Sequence, residues 1–344
     1  MDVVQNVLYL VNPELYVARD HLTLRIEEKG EVRLSLPIHH VESVCVFGPI
    51  TLSSGALDLC RSHGVAVNYL SESGYFMAQL RGIPDTSVTL RRAHFRAADV
   101  PEKCVGIARN IVAGKIQNAR NSLLRGARES EEEGVDRATL SAAAERLGRV
   151  VQTLAEQTDM DAVRGNEGIV AQIYFGVFGS LLKQQRDEFA FATRTRRPPR
   201  DRVNCLLSFL YALVRHDCMA ALTSIGLDAF VGFLHVERPN RPALALDLME
   251  EFRPWLADRL AVTLINRKQV GPGDFNVREG GAVEFTDAGR RAVIKAYQER
   301  KQEKLTHPSL NQELRIGQMP FVQARILARH LRGDTPDYLP LVPK

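Results

Sequence analysis

The first eighty residues alternate apolar and polar positions in short runs, and a helical period takes over after them. Asn6–Val11, Leu15–Ala18, His21–Glu27 and Val32–Pro37 are rich in β-branched, leucine or tyrosine residues. Turn formers separate them at Asn12-Pro13, Arg19-Asp20 and Lys29-Gly30, which predicts short strands. Val44–Phe47 and Val65–Leu70 are denser apolar runs suited to buried strands. Between them Leu52–His63 reads as a helix, with Thr51 or Ser53 as cap and Gly64 as stop. Tyr75–Leu80 predicts one more strand before the exit at Arg81–Asp85.

Helical spacing begins with Val105–Leu124, where Ile107, Ile111, Ile116, Leu123 and Leu124 share a face. The acidic run near 128–136 reads as a solvated loop. Helices are then expected over Ser141–Gln157, Glu167–Gln185, Val203–Gly226, Leu248–Ile265, Asp287–Leu305 and Pro320–Arg332. The expected fold class is α+β: a small N-terminal β-sheet domain (1–85), a linker (86–95) and a larger, mainly helical domain (96–344).

Composition narrows the function classes. The chain has 344 residues, 45% apolar and 25% charged, with a net charge of +4, which excludes disorder along its whole length. No run approaches the ~18 uninterrupted apolar residues of a membrane span, and the N-terminus lacks a signal peptide's basic start and cleavage site. The expectation is a cytoplasmic protein without a membrane partner. Five scattered cysteines without a CxxC pair read as core thiols. Residues 1–93 carry a net −2 and the remainder +6, so a polyanion site is expected in the second part.

Four features could carry chemistry. Glu167, in Gly165-Asn166-Glu167-Gly168, stands where the pattern starts a helix, so it reads either as a first-turn acid or as a ligand. His235 ends the apolar run Ala229–Leu234 and reads either as a hydrogen-bonded structural residue or as a functional imidazole. Asp247 and Glu250 have the spacing of a capping box, which is also the spacing that puts two carboxylates on one helix face for a hard cation. Two carboxylates with one imidazole suit Mg²⁺ or Mn²⁺. Finally, Arg194, Arg196, Arg197, Arg200 and Arg202 fall within nine residues interrupted by Pro198-Pro199. They read as a solvated loop with Asp201 capping the next helix, or as forks for DNA phosphates.

These segments together resemble the CRISPR-associated spacer-acquisition integrase, the Cas-one family. The resemblance rests on Gly114-Lys115-Ile116-Gln117-Asn118, Gly165-Asn166-Glu167-Gly168, Arg197–Phe209, Gly226-Leu227-Asp228, and Gly232-Phe233-Leu234-His235 leading to Leu244–Pro254, all in the family's order. Gln323–Arg329 and Leu331-Arg332-Gly333 look most like the type I-C branch. The resemblance implies that Glu167, His235 and Glu250 bind the divalent metal and that Asp247 supports the site. Relatives commonly carry Asp where this chain has Glu250, which keeps the charge and adds a methylene. It further implies a metal-dependent endonuclease and integrase that joins 3′-hydroxyl ends of captured double-stranded DNA into the CRISPR repeat array. The implied partners are a second copy of the chain, bound through the β domains, and the small Cas-two protein. Two rival readings stand beside it: a structure-specific nuclease of branched DNA, and a non-catalytic DNA-binding scaffold.

Overall fold

The computed structural model describes residues 7–41, 43–71, 76–82 and 88–343. The chain forms an N-terminal β-sheet region followed by a mainly helical region, and it divides into two compact units, Met1–Thr86 and Ser87–Lys344.

In the first unit the strands are β1 (Val7–Leu10), β2 (Leu15–Asp20), β3 (Thr23–Glu28), β4 (Glu31–Pro37), β5 (Ser43–Phe47) and β6 (Thr51–Leu52). Helix α1 (Ser54–Ser62), β7 (Ala66–Leu70) and β8 (Phe76–Leu80) follow. One sheet has the order β1-β5-β7-β8, and the other β4-β3-β2-β6. β1, β5 and β7 pair in parallel, which explains why β5 is apolar and buried at every position after Ser43. β2, β3 and β4 form an antiparallel meander, where Val17, Leu24 and Ile26 point inward. Ser53 caps α1 by accepting the Ala56 amide at 3.1 Å. Asn6 and Tyr75, the outer ends of two expected strands, lie outside the described residues.

The second unit begins with α2 (Val88–Ala98), so residues 88–95, expected as linker, are helical. Leu90, His94 and Ala97 form its buried stripe, and the His94 Nε2 lies 2.9 Å from the Val231 carbonyl oxygen. Then come α3 (Pro101–Arg128), α4 (Val135–Ala155), α5 (Met160–Gly176), α6 (Arg202–Ile225), α7 (Ala243–Phe252) and α8 (Arg259–Asn266). A hairpin of β9 (Phe275–Val277) and β10 (Val283–Phe285), α9 (Asp287–Gln302), a second hairpin of β11 (Lys304–His307) and β12 (Gln312–Arg315), and α10 (Met319–Arg332) complete the unit.

α6 is the central helix. It is long and apolar enough to cross a membrane by composition, yet 78% of its most apolar window is buried within the unit. Asp201 caps it through the Asn204 amide at 2.7 Å, and Gly226 ends it with φ +93°. The segment expected as one helix over Leu248–Ile265 is helical throughout, with a π-helical stretch at Arg253–Asp258 between α7 and α8. Pro254 accounts for the local widening, because it has no amide to donate and crowds the preceding turn.

The Gly114–Asn118 segment explains how α3 is fixed. A Cβ at Gly114 would lie 2.5 Å from Pro340 Cβ, so only glycine lets the C-terminal tail pass there. Asn118, one helical turn on, donates to the Glu251 and Leu341 carbonyls at 2.9 and 2.8 Å. Lys115 projects elsewhere, toward α5 and α7.

Candidate active site

Glu167, His235, Asp247 and Glu250 come from α5, the loop before α7, and α7 itself, and they converge in the helical unit. Glu167 is not a first-turn residue. α5 starts at Met160, where Asp159 accepts the Ala162 amide at 2.9 Å, so Glu167 sits in mid-helix. The glycines on either side of it hide that start from the hydrophobic pattern.

The Asp247–Glu250 capping box does not form. α7 begins at Ala243, and the amides of Leu244 and Ala245 donate to the Ala229 carbonyl at 3.0 and 3.2 Å. Asp247 is thereby free for another task. Its Oδ2 accepts the amides of Phe233 and Leu234 at 2.6 and 3.0 Å, and its Oδ1 accepts the His235 amide at 3.0 Å. The same Oδ1 lies 2.7 Å from His235 Nδ1. That contact fixes the ring and turns Nε2 toward Glu250, 3.7 Å from its Oε1. Gly232 makes the approach possible, since a Cβ would stand 2.8 Å from Ala243 Cβ and 2.9 Å from Asp247 Oδ2.

Glu250 is the electrostatic centre. Its Oε1 lies 2.8 Å from Arg253 Nη1 and 3.7 Å from His235 Nε2, and its Oε2 lies 2.7 Å from Lys115 Nζ. Burial pushes this carboxyl upward, but the charges of Arg253, Lys115 and His235 outweigh it and hold the group at about 2. Lys115 also pairs with Glu167 Oε1.

The donors suit a hard divalent cation in type: two glutamate carboxylates and one imidazole nitrogen. Glu250 Oε2 is buried, and the Lys115 ammonium 2.7 Å away is its partner. Among the described residues no three His, Cys, Asp or Glu side chains already form a metal-ligand cluster. The two glutamates instead converge on the Lys115 ammonium, so they fit a cation once that ammonium moves aside.

The five arginines divide. Arg194 is turned inward, donating to Asn204 Oδ1 at 2.6 Å and Ser208 Oγ at 3.0 Å, with its guanidinium 5.3 Å from the Tyr211 ring centre. Arg253 lies 5.1 Å from the same ring centre, so Tyr211 links the base of the arginine loop to the partner of Glu250. Arg202 donates to the Glu188 carbonyl at 2.8 Å and Arg200 to the Gly280 carbonyl at 2.6 Å. Arg197 and Arg200 are exposed, and Arg196 is exposed in its turn of the loop.

The family model for CRISPR associated protein Cas1 matches residues 8–299. The chain belongs to the Cas1 family. CRISPR-associated endonuclease Cas1 1 of Moorella thermoacetica is 44% identical to it over 342 residues, 99% of each chain. Two solved structures below 25% identity share the Cas1 fold. A casposase bound to integration product gives a TM-score of 0.84 at 21% identity, covering 97% of this chain and 93% of that one. A chain of a Cas6-RT-Cas1–Cas2 complex gives 0.83 at 22% identity, covering 100% of this chain and 37% of the other.

In this Cas1-family site, sequence reasoning missed the cations. Lys115 lay inside a family motif without a role, and Arg253 lay just past α7. Arg238 and Arg241 also escaped notice, although Arg-Pro-Asn-Arg-Pro follows His235 almost at once. The Arg241 guanidinium is drawn down first by burial and then by its neighbour Arg238, with Arg197 and Arg253 adding to the effect, while Asp247 opposes them. Exposed Arg238 and half-buried Arg241 form a positive rim near Asp247.

Proposed function

We propose that this chain is a divalent-metal-dependent DNA integrase and endonuclease of CRISPR adaptation. It joins the 3′-hydroxyl ends of short captured duplexes into the repeat array by transesterification. The carrying observation is the convergence of Glu167, Glu250 and the Asp247-oriented His235, residues far apart in sequence, on one charged centre. Support also comes from the relatives named CRISPR-associated endonuclease Cas1 and from the fold shared with a casposase bound to integration product.

Glu167, Glu250 and His235 Nε2 would hold Mg²⁺ or Mn²⁺. When bound, such an ion polarises the phosphoryl oxygen and stabilises charge on the entering and leaving oxygens. Asp247 fixes the imidazole so that Nε2 serves as a ligand or accepts the proton of the attacking hydroxyl. Arg196, Arg197 and Arg200, with the rim of Arg238 and Arg241, hold DNA phosphates. Arg194 and Arg202 act from beneath, by fixing the loop. One ester replaces another, so the step consumes no nucleotide triphosphate.

The N-terminal unit is the dimerisation module in this reading. Its edge strand β4 leaves Val32 and Leu34 53% and 47% exposed, an apolar edge suited to a second copy. The further partner is the small Cas2 protein, as the Cas1–Cas2 complex with a fold neighbour supports. The complex acts in the cytoplasm, in a system of the type I-C branch.

Strand joining tests the reading. A short duplex with free 3′-hydroxyls is mixed with a leader–repeat plasmid, with and without Mn²⁺ and the Cas2 partner, beside His235→Ala. Metal-dependent joined product that vanishes in the variant is expected. Cutting without joining would instead favour a branched-DNA nuclease, and equal DNA binding without any reaction would favour a scaffold. Arg196→Ala/Arg197→Ala should also reduce the salt slope of DNA binding by about 1–2, near 0.9 for each phosphate left unneutralised.

A further inference from the structure

Lys115 lies in the interior of α3 and is only 8% exposed. A buried ammonium is costly without partners. Its Nζ contacts both Glu167 Oε1 and Glu250 Oε2, with Glu250 at 2.7 Å. One monovalent cation thus bridges two carboxylates that would otherwise repel each other. Arg253 occupies the other oxygen of Glu250 at 2.8 Å, so Oε2 depends on Lys115 alone for its counter-charge.

The same two oxygens are the ones a divalent ion needs. An ammonium and a divalent ion cannot both bond to them, because they repel and a magnesium-like ion demands a nearly complete octahedron of oxygens. The lysine backbone cannot retreat to make room. Gly114 abuts Pro340, and Asn118 is tied to the carbonyls of Glu251 and Leu341. Only the flexible four-carbon stem can move.

We propose that Lys115 is the resident counter-cation of the site. It keeps Glu167 and Glu250 converged while no metal is bound, and it competes directly with the incoming ion for their oxygens, which lowers metal affinity in the free chain. This rests on the metal reading proposed above.

The test compares parent and Lys115→Met by Mn²⁺ titration, following free Mn²⁺ by electron paramagnetic resonance, and by thermal melting of the full chain in EDTA. Lys115→Met should bind Mn²⁺ roughly tenfold more tightly, the worth of one charge-assisted hydrogen bond removed from the competing state. In EDTA it should melt ~5 °C or more below the parent, because a buried carboxylate loses its counter-charge. Mn²⁺ should then raise its melting point more than the parent's.

Unchanged or weaker Mn²⁺ binding in Lys115→Met, with the parent binding normally, overturns the lysine proposal and leaves the metal reading standing. Absence of Mn²⁺ binding in both overturns both. Lys115→Met/Glu167→Gln separates lost packing from lost charge balance. With one carboxylate neutralised, Arg253 suffices for Glu250, so the double variant should melt above Lys115→Met in EDTA. A double variant that melts no higher shows that Lys115 does not balance Glu167 and sinks the proposal.

Discussion

Glu250 and Glu251 are neighbours on α7 and are equally buried, at 1% and 0% exposure, yet the fold treats them in opposite ways. A helix turns 100° per residue, so the two side chains meet different walls. Glu250 faces Arg253, Lys115 and His235, and the charges of Arg253 and Lys115 lead in overcoming burial to hold it at about 2. Glu251 meets only neutral donors: the Tyr338 hydroxyl, Gln323 Nε2 at 2.9 Å and the Leu341 amide at 2.6 Å. Burial raises it to about 7, and those donors offset only part of the rise. A buried carboxylate among cations stays charged and can trade partners, whereas one among neutral donors is a clasp. Here the clasp fastens the C-terminal tail to α3 and α7.

The largest expected effect follows from deleting each in turn. Glu250→Ala strands Arg253 and half of the Lys115 bridge in the interior, which should cost about 3–5 kcal/mol of unfolding free energy. DNA cleavage and joining should vanish with it. Glu251→Gln keeps the shape and one acceptor but turns an amide toward existing donors, for about 1–3 kcal/mol. Its tail should become sensitive to carboxypeptidase, while cleavage stays within a few-fold of the parent. Urea unfolding and a nicking assay on the two variants decide the matter. Loss of cleavage in a folded Glu251→Gln would erase the distinction.

The pH dependence of stability in EDTA sharpens the same contrast. Glu251 rises from its ordinary 4.5 to about 7 on folding, so its contribution is full below 4.5 and is lost as pH climbs through 7. Glu250 falls from 4.5 to about 2, so its contribution is present above 4.5 and is lost as pH drops toward 2. The parent should therefore lose stability on both sides. Glu251→Gln should remove roughly 3 kcal/mol from the alkaline limb, at one pKa unit per 1.36 kcal/mol, leaving the share of Asp258, which burial raises from 3.8 to about 6, and keep the acid limb. An alkaline limb of unchanged size in the variant would assign it to another group.

The sequence made some of this legible and hid the rest for identifiable reasons. Strands β2 to β5, the Ser53 cap, and α6 with its Asp201 cap follow from local pattern, because each is decided within a few residues. The short hairpins β9–β10 and β11–β12 carry three or four residues per strand, too few for a period to register. α7 begins on the Ala229 carbonyl, through contacts from Leu244 and Ala245 fifteen and sixteen residues distant that no local cap signal announces. Those contacts free Asp247 from capping, so its role depended on tertiary structure from the start. The acids and the histidine of the site were nameable through resemblance. Lys115 and Arg253 were not, since a cation becomes notable only when its carboxylate partners are placed around it.

The smallest effect in stability tests the exposed glycine face of α5, which is turned away from Glu167. Gly165 and Gly168 lie inside α5, where glycine costs ~0.8–1 kcal/mol relative to alanine. A Cβ at either position would meet nothing within 4 Å, so no packing inside the chain demands them. Gly165→Ala/Gly168→Ala should therefore raise the unfolding free energy by about 1–2 kcal/mol. If a DNA backbone comes to rest on the exposed α5 face that Gly165 and Gly168 share, the added methyls stand in its way, and the more stable variant should bind DNA more weakly and join strands at least several-fold more slowly. A variant that gains stability and keeps full joining would show that substrate reaches Glu250 and His235 without crossing this face. Then the low helix propensity around Glu167 would need a cause other than substrate approach.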